Sequence, residues 1–339
     1  MSLLLCSALL CSESALAQYE NEKDATIPLE YFYIKRENIG FFRRVFSKVT
    51  FGLSTGYGST AFKHDLGGYG IIQNGGTARP VIFASSSTTA TYGNWVNEFT
   101  SSTTTAQPSA FMVNSDTTTI GFKSKSFNIP LRATLHVDFD KVRVGGGFSF
   151  EYTHVGSFRP TSYGDKINSF NTDFSSFFLK KYFAIIGGTV YRYNEYLVVV
   201  DLNLGGYSLG KQFEKSQIQK GMFINLGVSI EREMSEYFRL FVRPSYEIKS
   251  YDLRYPESSL SVTNKLNAFY VNVGATYRIP ELRRCFLKTC KAQMNHAHGN
   301  REYRSRVHPI YKKQNPHYGE NHPNLIKYKG KNKKKLNPY

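Results

Sequence analysis

The chain has 339 residues, with 43 Lys and Arg against 26 Asp and Glu, a formal net charge of +17. Aromatic residues make up 15% of it, glycines number 27 and tryptophan occurs once, a composition that suits an all-β protein. Of the four cysteines, two lie in the first eleven residues, so the rest is no disulfide scaffold.

The chain opens MSLLLCSALLCSESALA, an apolar run from Leu3 to Leu10 and then Ala15-Leu16-Ala17, the A-x-A pattern of a signal-peptidase site. We therefore expect a signal peptide over residues 1–17, although no Lys or Arg precedes the apolar run. Cys6 and Cys11 invite a lipoprotein reading, but each comes after a leucine where a small residue is wanted. Residues 18–47 are expected to form an N-terminal periplasmic segment.

From Lys48 to Pro280 the dominant signal is alternation with period two. Val49 to Tyr57 opens it. Phe127 to Phe139 and Val142 to Tyr152 come next, with Arg132, His136, Asp138, Arg143 and Glu151 on the opposite face from the apolar residues. Phe177 to Tyr193 is apolar on both faces and its register stays open. Four further segments complete the series: Tyr196–Leu204 with Asp201, Met222–Ile230 with Glu231, Phe238–Ile248 with Arg239, Arg243, Glu247 and Lys249, and Phe269–Ile279 with Arg278. Tight turns near residues 138–141, 193–195 and 233–236 alternate with long connections at 62–126, 160–175, 210–220 and 254–263. Eight strands of membrane-crossing length, joined by short turns on one side and long loops on the other, predict an eight-stranded antiparallel transmembrane β-barrel. The barrel is expected over residues 48–280 in the outer membrane, with both termini periplasmic. Its first long loop holds the Ser/Thr-rich stretch SSSTTATYGNWVNEFTSSTTT and is expected to be mobile or to face a ligand.

These alternating segments resemble the eight-stranded outer-membrane barrels typified by the OmpA and OmpX families. The aromatic, lysine-rich character is also similar to barrels of the Bacteroidota, whose outer-membrane machines carry additional barrel subunits. The chain departs from the pattern by continuing past Ile279 and by lacking the LSxxRA stretch of peptidoglycan-binding domains.

A barrel of eight strands has an interior just wide enough for its own side chains. The inward set is expected to be Arg132, Arg143, Glu151, Asp201, Glu231, Arg239, Arg243, Glu247, Lys249 and Arg278, paired as a structural plug or, alternatively, lining an ion pathway. His136 and His154 are candidate catalytic groups by residue type, but neither shows a nucleophile–base spacing. No catalysis and no cofactor are expected.

Residues 281–339 carry fifteen Lys and Arg against three Asp and Glu. With few apolar residues, this basic periplasmic tail is expected to be a mostly disordered extension. Cys285 and Cys290, spaced C-x4-C, stand before His296 and His298; in the oxidising periplasm a disulfide between the cysteines is expected, with a metal site on all four residues or free thiols as the alternatives. Tyr303, Tyr311, Tyr318 and Tyr328, interleaved with Lys327, Lys329, Lys331, Lys333, Lys334 and Lys335, suggest a segment that lies along a partner. In the periplasm that partner is no nucleic acid, so outer-membrane or periplasmic proteins of an envelope complex, together with outer-membrane lipid, are the expected partners. A small porin is the alternative function, and an outer-membrane enzyme a third.

Overall fold

The structure is a computed structural model, and it describes residues 41–84, 91–102, 104–114, 119–139, 141–254, 260–290, 292, 295–298, 301–304 and 310. A short helix α1 (Phe41–Phe46) precedes strand β1 (Val49–Asp65). Five short strands occupy the first long connection: β2 (Tyr69–Gln73), β3 (Val81–Ala84), β4 (Thr91–Asn94), β5 (Thr100–Ser102) and β6 (Phe111–Val113). Then come β7 (Gly121–Phe139), β8 (Val142–Val155), β9 (Arg159–Pro160), β10 (Ser176–Tyr193), β11 (Tyr196–Ser208), β12 (Ile218–Lys220) and β13 (Phe223–Glu233). The series ends with β14 (Phe238–Ile248), β15 (Ser250–Arg254), β16 (Ser261–Arg278), β17 (His296–His298) and β18 (Arg301–Tyr303). The described residues fall into two compact units, one over Arg44–Pro280 and the other including those from Glu281 to Arg304.

In the first unit, β1, β7, β8, β10, β11, β13, β14 and β16 pair in that order, and β16 pairs back onto β1, closing a ring of eight antiparallel strands. Closure matters because no edge is left with unpaired backbone groups, the condition for a sheet to survive in lipid. Pairing of β1 with β7 lapses between Thr55↔Leu131 and Gly58↔Asn128, beside Pro130, which has no N–H to give. The three short strands β9, β12 and β15 extend the same sheet beyond the ring.

Alternation sorts the side chains. Leu53, Ile129, Leu131, Leu135, Val144, Ile186, Ile224, Leu226, Val242, Val271 and Val273 all stand exposed on the outer face. Aromatics border them at both ends: Phe51, Phe139, Tyr193, Tyr196, Phe238 and Tyr277 near the short turns, and Tyr57, Phe127, Tyr152, Phe178, Tyr246 and Phe269 toward the long loops. The nine residues from Phe269 to Tyr277 climb about 20 Å at the usual strand tilt. Beyond the second girdle the outward positions turn polar, with Lys63, Lys123, Lys125 and Lys265 exposed.

The first long connection is not a loose loop. Strands β2 to β6 form a second sheet in the order β5-β4-β3-β2-β6. Tyr69, Ile71, Ile82, Tyr92, Trp95, Val96 and Phe99 are buried with Phe62, Phe122, Phe158, Phe177, Tyr251 and Leu253 in one apolar cluster. The expectation of a mobile Ser/Thr-rich loop is corrected: residues 91–102 supply core aromatics to a cap over the long-loop end. Residues 85–90 and 103, also in that stretch, lie outside the described residues.

Candidate functional site

The interior of the ring holds three layers of charge. Nearest the short turns, Arg143 bonds Glu231 through two nitrogens, at 2.5 and 3.1 Å, and Asp138 through Nε at 2.8 Å. Arg239 bridges the same carboxylates, at 3.2 Å from Asp138 and 3.5 Å from Glu231, and reaches Glu233 at 3.1 Å. His136 is buried beside this layer, its Nε2 3.8 Å from Asp138 Oδ1.

In the middle layer, Arg243 grips both oxygens of Asp201 and donates to Asn225 Oδ1 at 2.8 Å. Gly227 makes this possible, because a Cβ there would stand 2.4 Å from the Arg243 guanidinium carbon. Arg132 has no carboxylate partner among the described residues; its guanidinium lies 4.8 Å from the Phe183 ring centre. With the Asn203 amide turned so that its oxygen faces inward, it accepts from Arg132 at 2.8 Å and from Arg243 at 3.1 Å.

The third layer is a square of two lysines and two glutamates. Lys181 Nζ lies 2.6 Å from Glu151 and 2.5 Å from Glu247. Lys249 Nζ lies 2.8 Å from Glu247 and 3.6 Å from Glu151. Tyr270 donates its hydroxyl hydrogen to Glu151 at 2.8 Å, and Asn128 also donates to that carboxylate. Two charges of each sign balance, as a water-poor interior requires. Two voids among the charge layers measure about 10 Å³ at the third layer and about 40 Å³ between the other two, room for a water or so and not for a solute. A wider cavity of about 250 Å³ opens at the short-turn end beside Asp138, Leu197 and Arg239.

Nine of the ten expected inward charges are therefore brought into this network or beside it. Arg278 is not. It is exposed at the end of β16, past the last enclosed layer, and donates to the Glu236 carbonyl at 3.3 Å. Lys181 escapes a reading of the sequence, because the strand that carries it shows apolar residues on both faces. His154 sits near the long-loop rim, its Nδ1 3.0 Å from the Ser176 hydroxyl, which also lies 2.8 Å from the Tyr152 hydroxyl.

The second unit contains a different constellation. The antiparallel pair β17–β18 sets His296 opposite Tyr303 and His298 opposite Arg301. Alternation on β17 directs both histidines to one face, with Ala297 on the other. Cys285 is tied to the far strand end by its N–H to Arg304 O at 3.0 Å, and a turn brings Cys290 N–H to Leu287 O at 3.2 Å. Cys285 Sγ then lies 3.3 Å from His298 Nε2, and Cys290 Sγ 3.2 Å from His296 Nε2. The structure holds the two thiols, expected as a disulfide, free and each aimed at an imidazole. Tyr303, expected as a partner anchor, is half-buried against the Phe286 ring at 5.3 Å. The other expected tail contacts (Tyr311, Tyr318, Tyr328, Lys327, Lys329, Lys331, Lys333, Lys334 and Lys335), the expected tail disorder beyond residue 310 and the signal peptide lie outside the described residues.

A closed ring, an apolar outer face between two aromatic girdles and a charge-paired interior define an outer-membrane β-barrel. No protein-family model and no curated protein matches the chain. Several solved structures do. One is the outer-membrane protease OmpT from Escherichia coli, 10% identical with a TM-score of 0.30, over 68% of this chain and 96% of that one. Another is the translocator domain of the autotransporter NalP from Neisseria meningitidis, 13% identical with a TM-score of 0.22, over 80% of this chain and 99% of that one. A third is a FadL homologue from Pseudomonas aeruginosa, 9% identical with a TM-score of 0.16, over 69% of this chain and 91% of that one. The expectation that the chain is no enzyme is corrected by the protease among these structures. At such TM-scores none of the three carries its activity to this chain.

Proposed function

We propose that this protein is an outer-membrane barrel that serves as an anchoring or accessory subunit of a cell-envelope complex, in secretion or outer-membrane assembly. The class is that of the small OmpA- and OmpX-like barrels, in the Bacteroidota setting that the composition suggests. Both termini emerge on the periplasmic side, where the basic, tyrosine-bearing tail docks a protein partner. One observation carries the reading: three layers of charged side chains fill the lumen, so the barrel is built to hold position in lipid rather than to pass a solute. Regularly placed tyrosines among cations supply the docking chemistry, aromatic anchors within a positively charged segment.

The test is affinity purification of the full chain beside a version ending at Pro280. Envelope proteins captured by the first and absent from the second support the reading, and equal capture by both refutes the tail's part in it. Solute-sized conductance by the purified barrel in liposomes would favour a small porin instead.

A further inference from the structure

We propose that Cys285, Cys290, His296 and His298 form a structural Zn²⁺ site that folds the segment C-terminal to the barrel. Their four ligand atoms all lie within 4.8 Å of one another. In a tetrahedral site with ordinary Zn–S and Zn–N bonds, a sulfur and a nitrogen stand about 3.6 Å apart. The two Cys–His separations, 3.3 and 3.2 Å, are close to that edge length. Two separate thiol–imidazole hydrogen bonds would explain each short distance singly. They give no reason for both pairs to converge on one point.

The local architecture is arranged for convergence. The two histidines share one face of β17, the Leu287–Cys290 turn returns the second cysteine to the first, and the paired backbone of Arg304 and residues 283–285 fixes the far side. Every histidine contact to sulfur is made through Nε2, which leaves each Nδ1 facing away, as ligating imidazoles are usually held.

A second argument is energetic. Among the described residues from Glu281 to Arg304, only Cys285 and Arg304 are buried, which is no core. A segment of this size holds one conformation only when something staples it, and metal binding supplies that free energy directly. The donor set also selects the metal. Two thiolates with two imidazoles in tetrahedral array suit Zn²⁺, and the thiolate charges offset the ion's own. On binding, each thiol releases its proton to solvent, and no redox step is involved. All four positions are filled by the protein, so the ion is structural and has no open place for a reacting water. A disulfide would bring the two sulfurs to about 2 Å and draw them away from the two imidazoles they now face.

The test uses the full chain, purified in detergent under reducing conditions and titrated with Zn²⁺, then with Co²⁺. We expect one Zn²⁺ per chain, a Co²⁺ spectrum with the intense visible bands of a tetrahedral thiolate site, and thiols that react only after chelation. Replacing both cysteines (C285S with C290S) should abolish Zn²⁺ binding, and His298→Ala should weaken it by more than about a hundredfold, beyond the loss typical of an outer-shell change. Heat-modifiable migration of the barrel in each variant shows that the first unit has folded, so lost binding is not lost protein. Absence of stoichiometric Zn²⁺ in the reduced chain, a six-coordinate Co²⁺ spectrum or unaltered binding by the double cysteine variant would overturn the proposal. A Cys285–Cys290 disulfide in protein isolated from cells without added oxidant would overturn it as well.

Discussion

Replacing Glu247 by leucine tests whether the balanced square of charges holds the barrel together. Glu247 is 3% exposed and takes both lysines, Lys181 at 2.5 Å and Lys249 at 2.8 Å. Without it two ammonium groups face the single carboxylate of Glu151, one buried positive charge too many. Breaking a buried pair in this way costs about 3–5 kcal/mol, because the orphaned charge keeps its desolvation penalty and loses its attraction. Restoring the balance by Glu247→Leu together with Lys249→Met leaves Lys181 paired with Glu151 at 2.6 Å and fills the space with apolar atoms. That double variant should recover most of the loss, since a balanced apolar replacement of a buried ion pair is often close to neutral. Urea unfolding in micelles, monitored by far-ultraviolet circular dichroism with heat-modifiable migration as the folding check, measures the three stabilities. A coupling energy near zero between the two substitutions, or a single variant within about 0.5 kcal/mol of the parent, would refute the assignment.

Three further outcomes are expected of the same structure. His64, buried in the cap and stacked on Phe158 at 4.3 Å, has its pKa pushed down by burial from 6.5 to about 3. Between those values the unfolded chain binds the proton and the folded one does not, so stability falls as pH drops from 6.5 toward 3, by about 5 kcal/mol at the limit. Fluorescence of Trp95, the single tryptophan, should report the cap opening in that window, and His64→Leu should remove the pH dependence. Gly227→Val should drive Arg243 off Asp201 and lower the urea midpoint by an amount equivalent to about 3 kcal/mol; an unchanged midpoint would contradict the close approach. Changing Lys333, Lys334 and Lys335 to Ala should weaken partner capture mainly at low salt, while changing Tyr311 and Tyr318 to Ala should weaken it at every salt concentration. Loss of all capture with the first change and none with the second would reduce the tail to an electrostatic tether.

Much of the ring was legible because a strand between lipid and a filled lumen must alternate. Arg132, Arg143, Glu151, Asp201, Glu231, Arg243 and Glu247 each sit on the face opposite a run of outward apolar residues. Phe177–Tyr193 concealed its register because its upper inward residues, Phe177 and Leu179, join the apolar cap cluster, so both faces read as hydrophobic and Lys181 disappeared among them. Arg278 misled for a complementary reason: alternation runs on past the last enclosed layer, and phase alone does not say where the lumen ends. The cap was hidden because its strands are three to five residues long, too short for a period to register. At the cysteine–histidine cluster the spacing was visible. Which atom faces which depended on a hairpin that the sequence does not announce.

The seam between β1 and β16 governs how such a chain can come into being. It joins Thr50 to Arg278 and Asp65 to Thr263, partners about two hundred residues apart, in an unbroken ladder. Until the last strand arrives, the growing sheet has two raw margins and a greasy convex side, and no subset of strands is at rest in water or in lipid. Closure is thus a late, all-or-none event in the membrane, and the chain must be kept from self-association until then. Any lesion before Arg278 that removes the closing strand destroys the whole cylinder, whereas one after it spares the cylinder and removes only the residues C-terminal to the lesion.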